Sequence, residues 1–154
     1  MRSGTNQKLP LRILVADDVA QWRVETHTLL KAKPHWQVIA EACNGLQAVQ
    51  RTAELFPDLV LIDIGMPILN GIEAAKRIRE ALPATRIIFL TQENDADVRR
   101  AAFANGADEY ILKVNAATEL LPAIEAVCGS NADILTASTR QEGLSVQAAL
   151  TARR

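Results

Sequence analysis

The stretch Asp58-Leu-Val-Leu-Ile-Asp63-Ile-Gly-Met-Pro67 decides the fold. Four consecutive apolar residues, Leu59–Ile62, end on a carboxylate and then on turn-forming residues. An apolar run without alternation reads as a strand covered on both faces, the signature of a parallel sheet. Four more such runs flank it in the first 112 residues. Ile13–Ala16 and Val38–Ala40 precede it, and Ile87–Leu90 and Tyr110–Leu112 follow.

Helical spacing fills the gaps between the runs. Trp22, Thr26, Leu29 and Leu30 form one stripe, and Leu46, Val49, Ala53 and Phe56 a second. Ile72, Ala75, Ile78 and Leu82 form a third; Val98, Ala101, Ala102 and Asn105 a shorter fourth; Leu120, Ala123, Ile124 and Val127 the last. Pro34, Pro57 and Pro83 each stand just before a strand run, where a helix must stop. Gly106 follows the fourth stripe as a C-terminal cap. Pro122 conflicts with the last stripe and is expected to weaken or kink its first turns. Strand and helix thus alternate five times. Right-handed crossovers then put helices on both faces of one five-stranded parallel sheet, a doubly wound α/β fold. Ligands in such folds sit at the carboxyl ends of the strands, where strand order reverses.

Those strand ends carry the polar groups. Asp17 and Asp18 follow the first strand, Asp63 ends the third, Thr91 the fourth and Lys113 the fifth. Taken singly, each has an ordinary role as a helix cap, turn residue or solvated surface. Their conjunction at successive ends of one sheet is specific. Three converging carboxylates repel by about 4 kcal/mol per pair at ~4 Å and an effective dielectric of about 20. They call for a cation or a raised pKa. Mg²⁺ fits, since it takes oxygen ligands and bridges to phosphate. A carboxylate can also act as a nucleophile toward phosphorus, with Mg²⁺ and Lys113 neutralising oxygen charge and Thr91 donating a hydrogen bond.

Leu11–Asp18, Asp58–Pro67, Asn70-Gly71, Ile87–Thr91, Gly106-Ala-Asp108 and Tyr110–Lys113 resemble the receiver domains of bacterial two-component response regulators. The resemblance covers about residues 11–128. It implies a flavodoxin-like (βα)5 fold with strand order 2-1-3-4-5. It also implies that Asp63 accepts a phosphoryl group from a sensor histidine kinase or phosphotransfer protein. Asp18 then binds Mg²⁺ directly, Asp17 through water, and Gly65 through its carbonyl. Thr91 turns toward the phosphoryl group, Lys113 contacts it, and Tyr110 moves with Thr91. Output is expected through a conformational change near the fourth helix, around Val98–Asn105, and the fifth strand.

Three positions depart from the family pattern. Gln92 stands where a small residue is usual and is expected at the mouth of the site. There it and Glu93 modulate access of anionic donors and water, and Gly65 partly reopens the path. Val114 replaces a frequent Pro, so its peptide bond is expected to be trans. Thr26 occupies a position that is usually apolar.

Composition is consistent with this reading. The chain has 154 residues, 49% of them hydrophobic and 23% charged, and a formal net charge of −1. That balance does not favour direct nucleic-acid binding. Cys43 and Cys128 have no metal-ligand spacing and read as reduced, partly buried thiols. No signal peptide or membrane-length apolar run is visible. The expected organisation is therefore an N-terminal extension at 1–10, a receiver domain at 11–128 and a tail at 129–154, in a soluble cytoplasmic protein. The tail, with Leu144, Ala148 and Thr151 at helical spacing, reads as a docked short helix or as disordered, and as too short for an output domain.

The function expected is a phosphorylation switch that binds a downstream protein or homodimerises, catalysing only its own phosphorylation and dephosphorylation. The alternative is a degenerate receiver acting as a constitutive dimer or scaffold, against which the complete set of polar residues argues. A phosphatase with an aspartyl nucleophile is disfavoured, because Gly65 stands where its second acid belongs.

Overall fold

The computed structural model describes residues 9–129; most of the expected extension and nearly all of the tail, with its expected helix, lie outside the described residues. The elements are β1 (Leu11–Ala16), α1 (Ala20–Leu30), β2 (Trp36–Ala42), α2 (Gly45–Leu55), β3 (Leu59–Ile62), α3 (Gly71–Ala81), β4 (Arg86–Thr91), α4 (Ala96–Ala104), β5 (Glu109–Leu112), a 3₁₀ turn (Lys113–Asn115) and α5 (Ala116–Cys128). The strands form one sheet in the expected order β2-β1-β3-β4-β5, and every pair is parallel. The chain moves one way from β1 to β2 and the other way to β3. The switch point therefore lies beyond the carboxyl ends of β1 and β3.

The period of 2 along each strand splits the core. Leu14, Ala16, Val60, Ile62, Ile87 and Phe89 face Ala48, Ala74, Ala75, Ile78 and Ala102 of α2, α3 and α4. Ile13, Val15, Leu59, Leu61, Ile88 and Ile111 face Leu30, Leu120 and Ile124 of α1 and α5. β3 is buried at all four residues, which is why its run shows no alternation.

Several expectations need correction. The stripe Leu46, Val49, Ala53, Phe56 is not the buried face of α2. Gly45, Ala48 and Thr52 are buried, while Leu46 and Phe56 are exposed. α2 packs too close for large side chains, since a Cβ on Gly45 would lie 1.9 Å from the Leu69 carbonyl oxygen. Phe56 instead ends the helix in the left-handed region at φ 50°. β2 is an edge strand and mostly half-buried, with a register irregularity opposite Ile13/Leu14. α5 runs through Pro122. The ring removes one backbone donor, but buried Leu120 and Ile124 on either side hold the helix on the sheet. Thr26 is buried and satisfies its hydroxyl by donating to the Trp22 carbonyl at 2.8 Å. Cys43 is exposed rather than partly buried. Cys128 is partly buried, and burial pushes its thiol up to about 12.

One glycine packs against the loop after β3, and a second glycine and an arginine brace the amino ends of β4 and β5. Gly71 begins α3 against the loop after β3, and a Cβ there would lie 2.0 Å from the Asp63 carbonyl oxygen. Gly106 follows α4 at φ 113°, a conformation that favours glycine. Arg79 on α3 donates to the carbonyls of Thr85 and Gly106 and to the Asp108 carboxylate, tying α3 to the segments that lead into β4 and β5.

Candidate functional site

β1 and β3 deliver two of the acids by backbone pairing. The Asp17 N–H donates to the Ala42 carbonyl and the Asp63 N–H to the Ala16 carbonyl, each at 3.0 Å. Each carboxylate then spends one oxygen locally. Asp17 Oδ1 accepts from the Val19 N–H at 2.9 Å, and Asp63 Oδ1 from the Ile64 N–H at 2.7 Å. Both Oδ2 atoms are left facing one ammonium: Lys113 Nζ lies 2.7 Å from Asp17 and 3.0 Å from Asp63. The Lys113 side chain is only 3% exposed. Asp18 stands at the exposed rim, and one carboxylate oxygen from each of Asp17, Asp18 and Asp63 lies within 4.8 Å of the others.

The electrostatics are unbalanced. Three carboxylates against one ammonium leave a formal charge of −2. Burial, more than any neighbour, pushes the Asp17 carboxyl above its ordinary value, with Asp63 adding to the effect. The Lys113 and Val19 hydrogen bonds only partly oppose it. A hard divalent cation fits this donor set: the ligands are oxygens, they converge, and their excess charge matches its own. Gly65 is exposed, and a Cβ there would meet nothing within 4 Å. No packing demand accounts for glycine at that position.

The far wall comes from β4 and β5. Thr91 is buried at the end of β4, and its Oγ1 accepts from the Glu93 N–H at 3.2 Å. Tyr110 is 5% exposed, and its hydroxyl donates to the Glu93 carbonyl at 2.7 Å. Burial, then the Glu93 carboxylate, pushes the phenol up, so Tyr110 stays a donor at neutral pH. The ring already packs inward, 6.2 Å from Phe89 and 6.4 Å from Phe103 between centroids. The Gln92 and Glu93 side chains are exposed. Among the described residues no peptide is cis, so Val114 follows Lys113 in trans. Sequence spacing missed two neighbours of the site. Arg23 donates to the Asp17 carbonyl at 2.7 Å. Trp22, read as a core residue, lies over Lys113 with the ammonium 4.7 Å from its ring centroid.

Residues 13–125 match the family model for the response regulator receiver domain. The chain belongs to that family. As a receiver domain it is a signalling domain of two-component systems, a family that switches on phosphorylation. It is 36% identical over 117 residues to the transcriptional regulatory protein LnrK of Bacillus subtilis, covering 76% of this chain and 53% of that protein. It is 38% identical over 112 residues to a protein-glutamate methylesterase/protein-glutamine glutaminase of Thermotoga maritima, covering 71% and 32%. The chain thus spans between about a third and about half of these relatives. Among solved structures, the response regulator domain of Thermotoga maritima CheB matches with a TM-score of 0.73 at 35% identity, covering 79% of this chain and 98% of that one. A LuxR-family two-component response regulator from Aurantimonas matches at 0.74 and 31%, covering 86% and 98%. Among the described residues no helix of this receiver is long and apolar enough to cross a membrane.

Proposed function

We propose that this receiver is a phosphorylation switch in which Asp63 takes a phosphoryl group from the phosphohistidine of a sensor kinase or phosphotransfer protein. The observation that carries the reading is the shared ammonium: Lys113 holds the Oδ2 atoms of Asp17 and Asp63 together, beside a third carboxylate. Asp18 directly, Asp17 through water, Asp63 and the Gly65 carbonyl are the residues to hold Mg²⁺. The bound ion supplies neutralisation of the phosphoryl oxygens.

An Asp63 oxygen attacks phosphorus in line, an O–P bond forms, and the donor's P–N bond breaks with its electron pair returning to the imidazole. Lys113 gives up Asp63 Oδ2 and pairs with a phosphoryl oxygen. Thr91 turns its hydroxyl toward the same group and releases the Glu93 N–H that it now holds. Glu93 is gripped at both ends, its N–H by Thr91 and its carbonyl by Tyr110. Loss of one grip therefore shifts the β4–α4 loop, and α4 and β5 become the surface read by a downstream protein or a second copy. Because Tyr110 is already inward, the shift is in the Glu93 backbone rather than in burial of the ring. Gln92 and Glu93, at the exposed rim, moderate entry of the donor and of hydrolytic water. The switching unit is residues 11–128, working in the cytoplasm without contacting nucleic acid or membrane itself.

Incubation with acetyl phosphate and Mg²⁺, read by intact mass, tests the proposal. One phosphate should add to the parent and none to Asp63→Asn. Equal labelling of the variant would refute the assignment.

A further inference from the structure

We infer that Trp22 is a positioning residue for Lys113, holding its ammonium by the face of the indole ring while its carboxylate partners change. The inference rests on the phosphoryl-transfer reading for its consequence, but on this geometry for its substance. An ammonium carries three N–H donors. Lys113 directs two at Asp17 and Asp63, and its side chain is nearly closed to water. The Trp22 ring centroid at 4.7 Å lies well within the ~6 Å range over which an aromatic face attracts a cation. The indole therefore serves as the third partner in a place where solvent cannot.

The backbone that carries the ring is held firmly. Trp22 lies in the first turn of α1, where its N–H donates to the Val19 carbonyl at 3.1 Å and its carbonyl accepts from buried Thr26 at 2.8 Å. Arg23, next in sequence, donates to the Asp17 carbonyl. The turn of α1 that carries the indole is thus tied to the same loop that presents Asp17.

The ring face differs from the other two partners in being uncharged. A divalent cation competes with Lys113 for Asp17 and Asp63, and a phosphoryl group competes with Asp63 for Lys113. Neither competes for the ring. Trp22 is then the fixed point about which the ammonium swings, and it shields the ammonium from water on the α1 side. Without it, Lys113 has rotamers that leave the phosphoryl position.

The experiment compares the full chain with Trp22→Phe, which keeps an aromatic face, and Trp22→Met, which keeps only apolar bulk. The Lys113 Hε protons should show upfield ring-current shifts in the parent and in Trp22→Phe, and lose them in Trp22→Met. The two variants should unfold within a few degrees of each other. Phosphorylation of Asp63 by acetyl phosphate with Mg²⁺ should slow about tenfold in Trp22→Met and less than threefold in Trp22→Phe. Unshifted Lys113 protons in the parent, or labelling of Trp22→Met at the parental rate, would overturn the inference. If the parent itself takes no phosphate, the phosphoryl-transfer reading fails, and the proton shifts still decide the contact. Should Trp22→Met not fold, Trp22 emission in a Trp36→Phe background decides: a change on Lys113→Met supports the contact, and none refutes it.

Discussion

Replacing Asp17 with Asn should stabilise the metal-free protein at neutral pH, although it removes an ion pair. The ammonium of Lys113 is 2.7 Å from Asp17 Oδ2, worth about 6 kcal/mol of attraction at an effective dielectric of about 20. The carboxylates of Asp18 and Asp63 come within 4.8 Å, each repelling Asp17 by about 3.5 kcal/mol on the same scale. Attraction and repulsion nearly cancel, leaving about 1 kcal/mol in favour of Asn. Burial of the charge, the leading reason the Asp17 carboxyl is raised, works in the same direction. The Val19 N–H keeps its acceptor, because Asn retains an oxygen. We expect a gain of about 1–2 kcal/mol, a few degrees in Tm for a domain of this size.

The sign with pH follows from linkage. Between the ordinary carboxylate value and the raised native one, the folded state binds more protons than the unfolded state. Parental stability therefore falls as pH rises through that window. Below it, Asp17 is protonated in both states, so its cost disappears and the advantage of Asn should vanish. Urea unfolding of both proteins from pH 3 to 8, with chelator and with millimolar Mg²⁺, is the assay; Mg²⁺ should stabilise the parent more than the variant. An Asn variant less stable than the parent by 1 kcal/mol or more at pH 7 without metal would refute the reasoning. So would an unchanging gap between pH 3 and pH 7.

Mg²⁺ affinity should fall further in Asp18→Asn than in Asp17→Asn, because the rim carboxylate can contact the ion directly; titration giving equal or reversed losses would contradict this. Ile68, 77% exposed, sits in the left-handed region at φ 71°, where a side chain costs about 1–2 kcal/mol. Ile68→Gly should therefore raise stability by about 0.5–1 kcal/mol after the greater unfolded-state entropy of glycine is counted, and a loss in chemical denaturation would count against the strain. Gln92→Ala should speed both phosphorylation and hydrolysis of phospho-Asp63 by about tenfold, or ~1.4 kcal/mol of barrier. Rates within twofold of the parent, measured by intact mass over time, would remove Gln92 as an obstruction.

The sequence by itself determined the sheet and the placement of its acids. Apolar runs of four or so residues, without alternation, need cover on both faces, and Leu59–Ile62 is buried at every position. Proline and glycine punctuation then places the strand ends, so Asp17, Asp63, Thr91 and Lys113 are legible as neighbours from the sequence. What periodicity missed were distances of approach. The apolar stripe on α2 points to Leu46 and Phe56, but the buried residues are Gly45, Ala48 and Thr52, and the Leu69 backbone leaves no room for a side chain at position 45. A helix wheel ranks residues by apolarity and carries no measure of how closely two backbones pack. The contact made by Trp22 escapes residue spacing for a related reason. Helical spacing assigns an aromatic residue to a face, whereas the partner that gives this one its character, Lys113, lies 91 residues further along the chain and is brought over the indole by the β1–β5 crossovers. The pairing of both Oδ2 atoms with one ammonium, and the double grip of Thr91 and Tyr110 on Glu93, are likewise products of tertiary structure. Hydrogen bonds of 2.7 to 3.2 Å depend on side-chain rotamers and strand register that no residue spacing encodes.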